Sequence, residues 1–220
     1  MPRLVSILLL VFVIALTGCG SKSNPSSNSP LSVPEESSSS SSSQMEIRAI
    51  GTINSGEILV IPKTNETIEK LEAPSCLGKA EDYLFKSDYE VMFKDKDDNE
   101  SVIKLPKIDT FIRPDNTQIT LPTLDFKEFQ AVVIAPQYTD CHGVSFYLIG
   151  AKDNDVFPFK FITDECASDS FHYASNTQLK VINDQLVIQP GQAAGSETKK
   201  ELIFKPDLKE KAMRLVQANT

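Results

Sequence analysis

Both histidines of the chain, His142 and His172, lie close to cysteines. Asp140-Cys141-His142 and Asp164-Glu165-Cys166 form two short clusters, and His172 follows the second. Thiolate and imidazole together suit Zn or Cu, and a carboxylate such as Asp140 or Glu165 can orient an imidazole from behind. Cys141, His142, Cys166 and His172 are therefore the candidate metal ligands. Their spacing holds no Cys-x-x-Cys and no His-x-His pair. The simpler chemistry for the cluster is a disulfide between Cys141 and Cys166. A second cluster, Asp95, Asp97 and Asn99, alternates as calcium-loop ligands do. Glu100 stands where such a loop needs Gly, however, and Pro106 where it needs its bidentate Glu. A solvated hairpin turn is the better reading. Hydrolase signatures are missing: there is no Gly-x-Ser-x-Gly, no His-Glu-x-x-His and no Gly-rich phosphate loop.

These residues need elements to position them. From Glu46 onward, short apolar stretches alternate with turn residues, and no long stretch has a clean helical period. Segments 47–53 and 57–61 flank Asn54-Ser55-Gly56. Segments 89–94 and 101–105 flank the charged turn at 95–100. Segments 178–182 and 185–189 flank Asn183-Asp184, a two-residue hairpin turn. The continuous apolar run 129–135 predicts a buried central strand, and 200–205 another strand. Segment 207–217 fits a helix capped by Asp207 and Glu210 after Pro206, or the return of a hairpin.

One hairpin can be put in register. With a turn centred on Asp153-Asn154, Phe146 faces Phe161, Leu148 faces Phe159 and Gly150 faces Phe157, which gives one apolar face. Continued outward, the same register places Cys141 opposite Cys166. A bond there closes a loop of about 25 residues and is worth about 3 kcal/mol. Cys76 is then left unpaired.

The remaining cysteine has a different setting. Arg3 precedes an apolar stretch from Leu4 to Leu16, too short to span a bilayer as a helix. Leu16-Thr17-Gly18-Cys19 follows, and this resembles the lipobox of bacterial lipoproteins. The resemblance implies removal of residues 1–18 as a signal peptide and diacylglycerol on Cys19, with acylation of its amine. Residues 19–45 then form a tether. It contains thirteen Ser, an unbroken run from Ser37 to Ser43, and Pro25, Pro30 and Pro34. Such a composition cannot bury enough apolar surface to offset chain entropy and is expected to be disordered.

Residues 46–220 are expected to form a single all-β extracytoplasmic domain, either an antiparallel sandwich or a propeller-like stack of meander sheets. Two stretches can be overlaid as hairpins with a Pro-started turn. These are Ile58-Leu59-Val60-Ile61-Pro62 with Ile68-Glu69-Lys70-Leu71, and Leu202-Ile203-Phe204-Lys205-Pro206 with Ala212-Met213-Arg214-Leu215. Strand units then recur at roughly 40–45 residues, the range of propeller blades. Asn183-Asp184-Gln185-Leu186-Val187-Ile188, Gly191 and Glu201-Leu202-Ile203-Phe204 resemble a kelch-type blade, without its Gly-Gly pair and in a chain with no Trp.

A net charge of −8, from 22 Lys+Arg and 30 Asp+Glu, argues against a nucleic-acid partner. The reading favoured by these features is a lipid-anchored protein on the outer face of the cell membrane. The Ser-rich tether and Gly20 fit a Gram-positive surface. Its domain would be a non-enzymatic binding or accessory module for an envelope protein or small ligand, with no cofactor besides the lipid on Cys19. The alternatives are a metal-binding or thiol-redox protein using Cys141, His142, Cys166 and His172, and an envelope hydrolase.

Overall fold

A computed structural model describes residues 46–191 and 201–219. The predicted signal peptide, Cys19 and the tether lie outside the described residues. The described chain is built of strands and connecting turns, in agreement with the all-β expectation.

Three antiparallel meanders follow one another. The first uses β1 (Ala49–Ile53), β2 (Gly56–Pro62), β3 (Thr67–Lys70), β4 (Tyr83–Asp95) and β5 (Glu100–Arg113). β6 (Ile119–Thr120) returns to pair parallel with β1. The second meander is β7 (Thr123–Asp125), β8 (Gln130–Ile134), β9 (Val144–Lys152) and β10 (Asp155–Pro158). β11 (Lys160–Ile162), β12 (Ala167–Ser168) and β13 (Phe171–Tyr173) then lead to the third: β14 (Lys180–Ile182), β15 (Gln185–Ile188), β16 (Glu201–Asp207) and β17 (Ala212–Asn219). The first strands of the meanders sit together, with β7 touching both β1 and β14.

The turns follow from local chemistry. Asn183 and Asp184 both take positive φ, 51° and 63°, as a two-residue hairpin turn requires. Asp153, at φ 54°, turns β9 into β10. At the charged turn, Asp95 Oδ1 accepts the backbone N–H groups of Asp97 and Asn99, each at 2.9 Å. Its other oxygen accepts Asn99 Nδ2, also at 2.9 Å. The alternation of Asp95, Asp97 and Asn99 thus closes a turn on itself.

The middle sheet packs on both faces. Along β8 and β9, Val132, Ile134, Ile149 and Ala151 point to the first sheet and join Ile58, Val60, Phe85, Val91 and Phe111. The alternate residues Ala131, Val133, Phe146 and Leu148 point the other way. They meet Phe157, Phe159 and Phe161, and Leu186, Ile188, Phe204 and Met213 of the third sheet. A strand buried on both sides reads as an unbroken apolar run, which explains the stretch of 129–135 that follows Gln130. Gly150 is part of this packing: a Cβ there would lie 2.5 Å from the Phe159 ring and 2.9 Å from that of Phe157. The arrangement is a stack of meander sheets, not a two-sheet sandwich.

The predicted hairpin register holds, then ends. Phe157 pairs with Gly150 and Pro158 with Ile149, and the Phe159 N–H bonds Leu148 O at 2.9 Å. Beyond Phe159 the chain leaves for the third sheet, where β11 pairs parallel with β17. Its vacated place beside β9 is taken by β13, so Phe171, not Phe161, is the ladder partner of Phe146. Phe161 still reaches Phe146 from the neighbouring sheet, at 5.4 Å between ring centroids.

Two further expectations change. Segment 207–217 is the hairpin return and not a helix: Asp207 Oδ1 accepts the Glu210 N–H at 3.1 Å, but closes a turn into β17. β2 and β3 do not form a matching hairpin. Pro62 pairs with Tyr89 and Thr67 with Lys86, so both lie end to end along one edge of β4. The meanders begin at Ala49, Thr123 and Lys180, farther apart than the spacing read from the sequence, because β4 and β5 are long and β11–β13 intervene.

One buried ion pair sets the entry of the chain into the first sheet. Arg48 is 3 % exposed and lies 4.0 Å over the Phe85 ring. It holds Glu66 with both Nε (2.9 Å) and Nη2. Tyr89 donates its hydroxyl to the same carboxylate at 2.6 Å. Arg48 thereby ties the start of β1 to the junction between β2 and β3 and to β4. Removing one partner of such a pair strands the other charge. Arg48→Met is expected to lower unfolding free energy by about 3–5 kcal/mol in urea titrations. Burial first, and then the bond to Glu66, hold the Tyr89 hydroxyl well above the ordinary tyrosine range. The unfolded tyrosine ionises near pH 10 while the native one does not, so stability should be level below about pH 10 and fall above it. Tyr89→Phe should flatten that alkaline decline in urea titrations repeated across pH.

Candidate functional site

The stack has two ends, and each gathers polar loops. At one end stand the first turns of all three meanders, tied in series by side chains. Gln130 Oε1 accepts the Asn54 N–H at 2.6 Å, which joins the β1–β2 turn to the β7–β8 turn. Gln130 Nε2 donates to Asp125 at 2.6 Å, which fixes the amide. Asp184, in the β14–β15 turn, accepts the Lys127 N–H at 2.7 Å. Between the turns of the first two meanders lies an open cleft of about 730 Å³, with Asn54, Asp97, Lys127, Glu128, Lys152 and Asp153 in its wall.

The electrostatics of this cleft favour fixed charge over proton transfer. Lys152 donates to Glu128 at 2.8 Å. That bond holds the carboxyl below its usual range and the ammonium above it. Asp95 is likewise lowered, chiefly by hydrogen bonds from Asn99. Each shift deepens the charged state, away from the range in which a general acid or base works. Carboxylates and ammonium groups side by side on short, well-hydrogen-bonded turns make a surface for a polar ligand.

The other end carries the cysteines. Cys76 sits in a small turn between β3 and β4, closed by the Ser75 N–H on Gly78 O at 2.8 Å. Cys141 lies in the 135–143 connection between β8 and β9. These two form the disulfide, with Cα atoms 4.9 Å apart and a sequence separation of 65. The expected Cys141–Cys166 bond is therefore replaced. The reason is the crossover after Phe159: β11 carries Cys166 to the third sheet instead of continuing opposite β9. Cys166 is a free, exposed thiol in the Thr163–Cys166 turn.

The expected metal ligands are not assembled. The Cys141 sulfur is bonded to Cys76, and Cys166 lies in its own turn. His142 gives only its backbone N–H, to Asp140 at 2.7 Å. The His172 ring stacks on Phe171, 5.1 Å between centroids. Among the described residues no group of three or more His, Cys, Asp or Glu could hold a metal ion. Neither histidine has a nucleophile as hydrogen-bond partner among the bonds described.

The 135–143 connection is a strap laid from the second sheet onto the first. Arg113 donates to the carbonyls of Ala135 (2.6 Å) and Pro136 (3.0 Å), and the Ile112 N–H also bonds Pro136 O at 3.0 Å. Burial pulls the Arg113 guanidinium down to about 10, which still leaves it a cation at neutral pH. Tyr138 donates to Asp82 at 2.6 Å, a carboxylate 5 % exposed that also accepts the Lys79 N–H. That bond raises the Tyr138 pKa. The strap ends at Gly143, at φ 121°, where its backbone crosses Gly191; a Cβ on Gly191 would fall 1.9 Å from His142 O. A cleft of about 560 Å³ opens beside it, bounded by Asp140, Cys141, Gly143, Asn176, Gln189 and Gly191.

Sequence reading missed Cys76 as the partner. Its turn belongs to no regular strand, so no ladder register points to it. Parity gives no signal either, since with Cys19 set aside any pairing of the other three cysteines leaves one over.

Peptide mapping of the non-reduced chain should find Cys76 joined to Cys141, with Cys166 carrying the alkylating reagent. Replacing both Cys76 and Cys141 by Ser should cost about 4 kcal/mol of unfolding free energy, the loop-entropy value for a bridge of that span. Cys166→Ser should leave stability unchanged in the same urea titration.

Comparison with protein families, with curated proteins and with solved structures finds no match for this chain.

Proposed function

We propose that this protein is a lipid-anchored component of the bacterial envelope whose β domain is a binding or accessory module. The observation that carries the anchoring is Leu16-Thr17-Gly18-Cys19 at the end of a short apolar stretch, followed by a Ser-rich tether. Two or three acyl chains on Cys19 hold a protein at a membrane, where a single chain is marginal. Gly20 and the tether composition favour a Gram-positive surface.

The chemistry of the domain supports binding over catalysis. The turn cleft offers paired charges in fixed positions. His142 and His172 lie at the opposite end of β9 and form no acid–base pair with a nucleophile. The partner this cleft suits is polar: an envelope protein surface or a small hydrophilic ligand. Apart from Phe126, Phe129 and Ala151 its wall is polar, whereas pockets for lipophilic molecules are lined mainly by hydrophobic side chains.

The anchoring is tested by growing cells with labelled palmitate. The full-length protein should carry the label and sediment with membranes. Cys19→Ser should lose the label and appear in the soluble fraction or as unprocessed precursor. An unlabelled wild-type protein, or one released equally with and without Cys19, would overturn the reading.

A further inference from the structure

We propose that the Cys76–Cys141 disulfide is a reducible clasp that holds one wall of the cleft beside it. Both cysteines are exposed, so a thiolate can reach the bond without the domain unfolding. The strap it closes is held unevenly. Up to Tyr138 the connection is fixed to the first sheet by Arg113, by the Ile112–Pro136 hydrogen bond and by Asp82. From Thr139 to Gly143 those ties stop. Asp140 accepts only the His142 N–H of its own turn and, on its carbonyl, the Ser175 hydroxyl at 3.4 Å. Among the described residues, the disulfide is what joins this stretch to the first sheet.

The same stretch covers the third sheet. His142 and Gly143 lie directly on Gly191, and Asp140, Cys141 and Gly143 form the strap side of the 560 Å³ cleft. The opposite side comes from Ala174 to Thr177 and from Gln189 to Gly191. Closing the bond presses the strap over the end of β15, and opening it frees that wall while the anchors at Arg113 and Asp82 stay in place.

The step is a thiol–disulfide exchange with a dithiol reductant. One reductant thiolate attacks a cystine sulfur, the S–S bond breaks, and a mixed disulfide forms. The second reductant thiol then displaces it. Two electrons and two protons pass to the cystine, giving Cys76 and Cys141 thiols and an oxidised dithiol. The inference rests on neither the lipid anchor nor the occupant of the turn cleft, and its test needs neither.

The experiment uses the full chain carrying Cys166→Ser, so that no third thiol from the domain joins the exchange. Amide hydrogen exchange is followed by mass spectrometry over seconds to minutes, with and without dithiothreitol and in the absence of denaturant. On reduction, exchange of the His142 amide, the N–H of 139–143 with a described hydrogen bond, should rise about tenfold, the mark of a local opening, while β8 and β9 stay protected over that window. A chain with Cys76→Ser and Cys141→Ser should show the same profile without reductant. Three results would each overturn the proposal. The bond could resist dithiothreitol until denaturant is added. Exchange of the His142 amide could be unchanged by reduction. Protection could vanish across β8 and β9 together, which would make the bond a staple of the whole fold.

Discussion

The rest of the structure depends on β8 from Ala131 to Ile134, and β9 from Leu148 to Ala151, having no solvent side. Every residue of β8 from Ala131 to Ile134 is buried, alternately toward the first and third sheets. Two cores therefore share one sheet as their common wall. A side chain that grows on one face of that wall presses on the other, because interiors are packed close to crystal density. Gly150 marks how tightly the second core is filled, with the Phe157 and Phe159 rings lying where its side chain would be. Neither outer sheet could bury its apolar face without this shared partner.

The same constraint decides where recognition chemistry can sit. Faces are committed to packing, so variable polar groups collect at the strand ends. At one end the turns are laced by Gln130 and Asp184, and Lys152 is paired with Glu128. The other end is layered, with a strap from the middle sheet crossing the first and third. A half-buried guanidinium at Arg113 and a buried carboxylate at Asp82 are used there on backbone carbonyls, a backbone amide and a tyrosine hydroxyl. Groups used this way position a loop and are withdrawn from chemistry on a ligand.

Much of this was legible in the residues, and the rest was not for physical reasons. The run 129–135 announced a strand buried on both faces, and Asn183-Asp184 its turn type, since both signals are local. The pairing of Phe157 with Gly150 followed from matching apolar faces across a short turn. What escaped was non-local. Nothing between Phe157 and Phe161 marks the point where the strand changes sheets, because both destinations bury the same alternating phenylalanines. Pro158 is the one hint, as a residue with no amide to give a continuing ladder. The error then spread: with the ladder extended too far, Cys166 fell opposite Cys141, and the true partner in an irregular turn was passed over. The overlay of 58–71 on 202–215 failed similarly, for collinear strands and hairpins can share one apolar pattern.

The crossover at Phe159 also orders events in time. About fifty residues separate β11 from its parallel neighbour β17, the last of the described strands, held further by the Lys160 N–H on Lys211 O and by Lys211 with Asp155. A chain that emerges N-terminus first therefore exposes β11 with an open edge until β17 follows. The first meander can assemble early from neighbours in sequence, but the seam between the second and third waits for β17. The last strand is thus the closing stitch of the domain, and a chain that stops short of it leaves an unpaired edge at its centre.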